Sequence, residues 1–266
     1  MPGVEGIVFR KTTRIASRCG PLASLLRLHY HDCFVQACDV SMLLDSTDGS
    51  PAEKDAMPNQ SPRGMDIVAR VKDKLEKVCP ATVSCADLLA LISRDAVVLS
   101  KGLSWLVALG RRDGRTSRAG NCGRLPLLYG NITIMIKVFA AKGLDVKDLV
   151  MPSVAHTFGK EHCSSFADFL ELYYGSICST DTTLDERYTD RLRMRCRGPR
   201  DISTTAELDA YRQVARRHGC SCRTPGSWII PSDFRNNTCS SAPVVRLAGC
   251  VLLVRQVQVL NSSSKK

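Results

Sequence analysis

The sequence predicts an all-α protein, and three observations support this fold class. Apolar residues recur at helical spacing in several segments, and strand-like alternation is scarce. Glycine, proline and aspartate collect in two long segments between the helical ones. The chain has 266 residues, of which 44% are hydrophobic, so it can bury one large core or the cores of two lobes.

The first predicted helix covers residues 21–34, PLASLLRLHYHDCF. Pro21 suits a first helical turn, where the missing N–H of proline costs nothing. The stripe formed by Leu22, Leu25 and Leu26 predicts that one face of this helix is buried.

Two more helices are predicted in the first half of the chain. Residues 61–79 repeat apolar residues at helical spacing, and Ser61 is a candidate N-cap. Residues 84–99 begin with Ser84 and Asp87, which have the spacing of a capping box, and continue as an apolar run.

The second half predicts three shorter helices. One covers residues 131–144 and ends at Gly143, a natural C-cap. A short helix follows over residues 145–150, and residues 166–176 form a further amphipathic candidate. The segments rich in glycine, proline and aspartate, which we interpret as long loops, are residues 45–62 and 110–126.

The formal charge of +11 is concentrated in one region, because ten arginines and no lysine lie between Arg187 and Arg223. No nucleic-acid-binding motif accompanies this run, so we expect an anionic matrix as a partner rather than nucleic acid. The most apolar late stretch, LAGCVLLV, is too short to span a bilayer, and no membrane partner is expected.

Thirteen cysteines indicate an oxidising compartment. Because the count is odd, at least one cysteine stays unpaired or pairs between chains. The first residues, MPGVEGIVFRKTTRIASRC, contain no uninterrupted apolar core after a basic start, so no signal peptide is expected in this chain.

The stretch RLHYHDCF, residues 27–34, concentrates polar residues on a predicted helix. Arg27 and His31 are four residues apart, so they project from the same face, whereas His29 points elsewhere. A neutral imidazole can take a proton while a guanidinium stabilises charge on a departing oxygen. The pair therefore suits the splitting of a peroxide O–O bond, and the alternative is an ordinary surface pair.

A short loop with oxygen ligands follows this helix, next to Cys33 and Cys38. Hard oxygen ligands on a constrained loop suit Ca²⁺. The alternative is a zinc site built from the two cysteines and a histidine, although no second Cys or His pair stands at typical spacing. The candidate calcium ligands are the side chains of Asp32, Asp39 and Ser41 and the backbone carbonyls of Val35 and Ala37.

A set of ordered motifs resembles those of the plant secretory (class III) haem peroxidases. The motifs are LLRLHYHDCFVQACDVSMLLD, AEKDAMPN, RGMDIV, CPATVSCADLLALISRDAVVL, LGRRDGR, LP, GLDVKDLV and AHTFGKEHC. The resemblance runs from Pro2 to about Gly219 and implies the plant haem peroxidase fold. Residues 1–219 would form the peroxidase domain, with a distal lobe of about 1–125 and an incomplete proximal lobe of about 126–219 that sandwich a haem. Residues 220–266 diverge from the family, and we expect them to be disordered.

The resemblance implies the following roles around haem b. His31 matches the distal acid–base and Arg27 the distal cation. Asn59 matches the residue that orients the distal histidine, and His156 matches the axial ligand of the haem iron. Pro126 matches the proline of the substrate channel.

The resemblance also implies two calcium sites and two disulfides. The disulfides are Cys33–Cys38 and Cys163–Cys196, while Cys79 and Cys85 would lack their family partners. The distal calcium site would comprise Asp32, Val35, Ala37, Asp39 and Ser41, with Glu53 supporting it through water, and the proximal site would retain Thr157 and Asp209.

The function implied by the resemblance is the reduction of hydrogen peroxide and the one-electron oxidation of small phenolic donors. The alternative is a catalytically impaired remnant that acts as a basic protein and binds an anionic cell-wall polysaccharide. The family further implies a monomer that is secreted to the apoplast or held in the vacuole.

Several positions depart from the family pattern. Tyr30 replaces a usual distal phenylalanine, and Pro152 and Val154 alter the motif before the axial histidine. Met1 stands where the family has a half-cystine. After Gly219 the aspartate that bonds the axial histidine is not recognisable, so we expect weak haem retention and low activity.

Overall fold

A computed structural model of the chain describes residues 3–19, 22–100, 102–126, 132–155, 159–171, 180–181, 184, 186–196 and 203–207. These residues form two compact units that divide between Leu125 and Pro126. Most of the described residues are helical, which confirms the predicted all-α class. Four sites of the sequence predictions lie outside the described residues, namely His156, Thr157, Asp209 and the segment 220–266.

The first unit is built around one buried helix. Every side chain of α4 between Ala86 and Val97 is buried, most of them apolar. The helices α1, α2 and α3 all contact α4. The bounds are α1 Val4–Cys19, α2 Leu22–Val35, α3 Met65–Glu76 and α4 Cys85–Leu99, and short 3₁₀ helices cover Ser41–Leu43, Glu53–Asp55, Met57–Asn59 and Ala119–Arg124.

The helix α1 is not predicted by the sequence. Its buried stripe consists of Val4, Val8 and Thr12, so its third member is polar and the apolar pattern is short. An ion pair fixes α1 on the central helix, because Glu5 Oε2 accepts a hydrogen bond of 2.7 Å from an Arg94 Nη1 that belongs to α4. A tertiary contact therefore stabilises a helix whose local signal is weak.

The predicted N-cap of α3 is wrong, and that of α4 is confirmed. The predicted N-cap Ser61 is wrong, since α3 begins after Gly64, which has a φ of 109° that suits glycine. A Cβ at Gly64 would lie 2.8 Å from Leu25 Cδ2, so close packing also requires glycine. The predicted cap of α4 is confirmed, because Ser84 Oγ accepts a hydrogen bond of 3.0 Å from Asp87 N.

A reciprocal pair of aspartates joins the start of α4 to the loop 110–126. Asp87 accepts hydrogen bonds from the backbone N–H groups of Gly110 and Arg111, and it forms an ion pair of 3.1 Å with the Arg111 guanidinium. In return, Asp113 accepts bonds of 3.0 and 2.9 Å from the first N–H groups of α4. The loop is thereby fixed to the most buried helix of the unit.

Replacing Asp113 by alanine should lower the free energy of unfolding by about 1–2 kcal/mol, because two N–H groups at a helix N-terminus lose their acceptor. Thermal and urea unfolding would measure this loss. Asp66→Ala is the matched control, since Asp66 forms an exposed i,i+4 pair with Arg70, for which about 0.5 kcal/mol is expected. Equal losses in the two variants would contradict the assignment.

The second unit contains shorter helices and a small sheet. The predicted C-cap is confirmed, because Gly143 has a φ of 74° just after α5. The helix α6 continues through Pro152 and is longer than predicted. The bounds are α5 Ile132–Ala140, α6 Val146–Ala155, α7 Ala167–Glu171 and α8 Glu186–Arg195, with the antiparallel strands β1 Lys160–His162 and β2 Thr205–Glu207.

An apolar cluster joins α7, α8 and β2 of this unit. The disulfide Cys163–Cys196 lies within the cluster, and Phe166, Leu170 and Leu192 pack around it. Among the helices of the described residues, none has both the length and the apolarity that crossing a membrane would need.

Candidate active site

The helix α2 places Arg27 and His31 on one face, as their spacing predicts. The side chains are in contact, with Arg27 Nε donating a hydrogen bond of 3.1 Å to His31 Nε2. His31 itself is buried. A cation and an imidazole thus meet at the surface of the first unit's core.

The third member of the site comes from the 3₁₀ helix Met57–Asn59. The buried side chain of Asn59 places its Oδ1 2.6 Å from His31 Nδ1. On its other side, Asn59 Nδ2 donates to the backbone carbonyl of Glu53 at 2.8 Å and to Cys122 Sγ at 3.3 Å. Both amide hydrogens therefore face acceptors, which places the amide oxygen toward His31.

This arrangement determines which nitrogen of His31 carries the proton. An amide oxygen can only accept, so His31 Nδ1 donates to Asn59. The guanidinium of Arg27 can only donate, so His31 Nε2 presents a lone pair. The site therefore holds a neutral imidazole whose basic nitrogen lies beside a fixed positive charge.

Such a triplet can move a proton and stabilise a developing anion. His31 Nε2 can take a proton from an acidic oxygen once the substrate displaces the Arg27 N–H from it. The guanidinium retains further N–H groups with which to stabilise negative charge on a leaving oxygen. Acid–base cleavage of a bond between two oxygens is the chemistry that these groups serve.

The loop after α2 brings the predicted calcium ligands together. Asp39 Oδ1 accepts a hydrogen bond of 3.2 Å from Ser41 N, and Ser41 Oγ donates to Glu53 Oε2 at 3.1 Å. Asp32 Oδ2 accepts from Val40 N at 3.0 Å. Among the described residues, the second oxygens of Asp32 and Glu53 are buried without a hydrogen-bond partner.

Two features of the backbone show that this loop is tightly packed. Val40 has a φ of 61°, which is costly for a β-branched residue and requires strong support from its surroundings. The loop 110–126 packs against this loop, and Gly114 N donates a hydrogen bond of 2.7 Å to the carbonyl oxygen of Asp39. A Cβ at Gly114 would lie 2.5 Å from Asp39 Oδ2, so only glycine fits there.

The electrostatics of the loop favour a bound cation. Burial raises the pKa of Asp32 well above its usual range, and the nearby charges of Asp39 and Glu53 raise it further. Burial likewise raises the pKa of Glu53, with a contribution from Asp39. Clustered, buried carboxylates with unpaired oxygens are unfavourable alone and are the hard ligands that Ca²⁺ prefers.

The zinc alternative is not supported. Among the described residues, potential ligand atoms of His29, Cys33 and Cys38 lie within 4.8 Å of one another. The two cysteines form a disulfide, so neither offers a thiolate. Burial, together with the charge of Arg111, lowers the pKa of His29 to about 3, which marks it as a neutral residue of the core.

The remaining predicted positions are placed as follows. Tyr30 lies against His31 edge to face, with 6.0 Å between ring centroids. Pro126 is half-buried at the start of the second unit. Both predicted disulfides are present in the structure. Cys79 and Cys85 form no disulfide within the described residues.

Two residues of the site are not predicted by the sequence. Gly114 lies in the motif LGRRDGR, whose second glycine is the signal that a close approach was needed. Cys122 lies in a loop segment with no local signal, and only the contact with Asn59 reveals its position.

The helical fold and a linked arginine, histidine and asparagine define an enzyme of the helical peroxidase class. Comparison with known proteins supports this class. The family model described as Peroxidase matches residues 7–237, which extends past Gly219, where the motif resemblance ends.

Curated plant proteins are similar over most of the chain. Peroxidase 1 of Oryza sativa subsp. japonica is 48% identical over 231 residues, covering 82% of this chain and 71% of the relative. Peroxidase 39 of Arabidopsis thaliana is 43% identical over 242 residues, covering 85% of this chain and 71% of the relative. The chain belongs to the peroxidase family, among the plant class III peroxidases, and is therefore an oxidoreductase.

Proposed function

We propose that the chain reduces hydrogen peroxide at a bound haem b and oxidises small phenolic donors in one-electron steps. The observation that carries this proposal is the linked triplet, in which Arg27 Nε lies 3.1 Å from His31 Nε2 and His31 Nδ1 lies 2.6 Å from Asn59 Oδ1. Its geometry leaves a basic nitrogen beside a cation.

Each residue of the triplet has a distinct role. His31 Nε2 takes the proton of one peroxide oxygen and returns it to the other oxygen, so that water can depart. Arg27 stabilises the negative charge that develops on the departing oxygen. Asn59 holds the Nδ1 proton of His31, which keeps Nε2 available as the base.

We propose that haem binds on the side of the triplet. When bound, haem supplies the electron-transfer chemistry, which no side chain of the triplet can provide. We propose that His156, which lies outside the described residues, would hold the haem iron, and that Pro126 is part of the donor-binding surface. Two phenolic donors each give up one electron and one proton and become phenoxyl radicals, which supplies the two electrons and two protons that convert one hydrogen peroxide into two waters.

The loop after α2 fits Ca²⁺. The buried oxygens of Asp32 and Glu53 that lack a partner among the described residues mark where a cation would bind, with Asp39 and Ser41 beside them. The carbonyls of Val35 and Ala37 complete the proposed site. Thr157 and Asp209 are proposed as remnants of a second site.

Secretion is part of the proposal, with apoplast or vacuole as the destination. Its support is the pair of disulfides, Cys33–Cys38 and Cys163–Cys196, because such bonds persist in oxidising compartments. We propose that the protein acts as a monomer.

The test uses the full chain refolded with Ca²⁺ and titrated with haem. A Soret band and peroxide-dependent oxidation of guaiacol are expected, and the titration also gives the affinity, for which weak retention is expected. His156→Ala should abolish the Soret shift and the turnover. His162→Ala is the matched control, since His162 lies on the strand β1 and has no proposed role. A chain that shows no Soret shift beyond that of free haem and no turnover would support the alternative, a basic wall-binding remnant.

A further inference from the structure

One buried thiol contacts the triplet through Asn59 and has no role in the proposed peroxide reaction. Cys122 is buried, lies in the 3₁₀ helix Ala119–Arg124 and forms no disulfide within the described residues. Its Sγ lies 3.3 Å from Asn59 Nδ2 and 3.7 Å from the Glu53 carbonyl oxygen. A thiol is a weak acceptor and a weak donor, so it can serve both neighbours at once.

We propose that Cys122 is a positioning residue, which fixes the orientation of the Asn59 amide and, through it, the tautomer of His31. This inference rests on the proposed role of His31 as the base. Cys122 itself touches neither peroxide nor donor, and acts only through Asn59.

The argument starts from the two ends of the Asn59 amide, which have nearly the same shape. In the observed orientation, one Nδ2 hydrogen faces the Glu53 carbonyl and the other faces Cys122 Sγ. A rotation by 180° would place Oδ1 against the Glu53 carbonyl oxygen and an N–H against His31 Nδ1. The rotated amide would therefore favour the wrong tautomer of His31, with the proton on Nε2.

Glu53 alone can satisfy only one of the two amide hydrogens. Without an acceptor at position 122, the observed orientation leaves a buried N–H unpaired, which reduces its advantage over the rotated one. A loss of one weak hydrogen bond corresponds to a shift of about tenfold at most in the ratio of the two orientations. The hydrogen bond to the Glu53 carbonyl thus establishes the preferred orientation of the Asn59 amide, and Cys122 strengthens that preference.

The experiment compares Cys122→Ala with Cys122→Ser, which differ by one oxygen. The full chain is labelled with ¹⁵N-histidine and loaded with Ca²⁺ and with zinc protoporphyrin IX, a diamagnetic substitute for haem. The parent and the serine variant should show His31 with its proton on Nδ1 alone. The alanine variant should show a second tautomer, and with haem its rate with peroxide should fall in proportion to the population of that tautomer, by at most about twofold, while the KM for guaiacol stays unchanged.

Each outcome decides the proposal. A parent-like tautomer and rate in a folded Cys122→Ala protein would overturn it, and so would equal losses in the alanine and serine variants, which would indicate packing alone. If Cys122→Ala does not fold, Cys122→Val, which fills the space without an acceptor, takes its place under the same criteria. The tautomer is read without turnover, so a failure of the peroxidase proposal would leave this result interpretable.

Discussion

Replacing His31 by leucine should lower the rate of reaction with hydrogen peroxide by about a thousandfold, because the proton that leaves one peroxide oxygen loses its acceptor. Leucine is similar in size, and the substitution removes the hydrogen bonds that Arg27 and the buried Asn59 make to His31. Stopped-flow mixing of the haem-loaded variant with peroxide would measure the rate.

Haem binding provides the control for this prediction, since a leucine at position 31 removes no proposed iron ligand. The Soret band should therefore persist in His31→Leu. His162→Leu, made in the second unit, should react at the parent's rate. If His31→Leu also reacts at the parent's rate, the assignment of the base to His31 is wrong.

Removing calcium should produce the second large effect, a fall in Tm on the order of 10 °C when the starting Ca²⁺ concentration is a hundredfold above its Kd. Without the cation, the buried carboxylates of Asp32 and Glu53 lose the partner that compensates their burial. Calorimetry before and after dialysis against a chelator would measure the change. Asp32→Asn should abolish the fall in Tm on calcium removal. Asp48→Asn, which changes an exposed residue of the loop 45–62, should retain that fall.

The pH dependence of this effect has a definite sign. In the metal-free protein, burial raises the pKa of Asp32 and of Glu53, so their contribution to stability is complete at acidic pH and is lost as pH rises through the raised values. Calcium requires the deprotonated carboxylates, and its binding weakens as pH falls. The gain in Tm from calcium should therefore be largest near neutral pH. A gain that grows on acidification would contradict the proposed ligands.

Local patterns in the sequence were sufficient for much of the fold and for part of the site. The apolar stripe of α2, the Ser84 cap of α4 and the i,i+4 relation of Arg27 to His31 all depend on residues within a few positions of each other. Asn59 was found only through the family motif.

The rest could not be predicted because it depends on contacts between distant segments. The stripe of α1 includes the polar Thr12, and its anchor is a residue of α4, Arg94. The helix α3 begins after Gly64 and not at the predicted cap Ser61. Leu25 of α2 leaves no room for a Cβ at position 64, and this contact is not visible in the local sequence. Cys122 contacts Asn59 across 63 residues of sequence, and no periodicity reports such a pairing.

The same sequence separations bear on the order in which the site is assembled during folding. Arg27 and His31 are in place once α2 forms, but His31 meets Asn59 across 28 residues, and Cys122 meets the Glu53 carbonyl across 69. Contacts between distant segments carry the larger loop-closure entropy and form late. A nascent chain that has folded α2 thus already carries the base and the cation, yet the tautomer of the base is set only after Asn59 contacts His31, and Cys122 adds to it when the loop 110–126 closes. Proton-transfer competence therefore depends on contacts between distant segments and not only on the helix that bears the histidine.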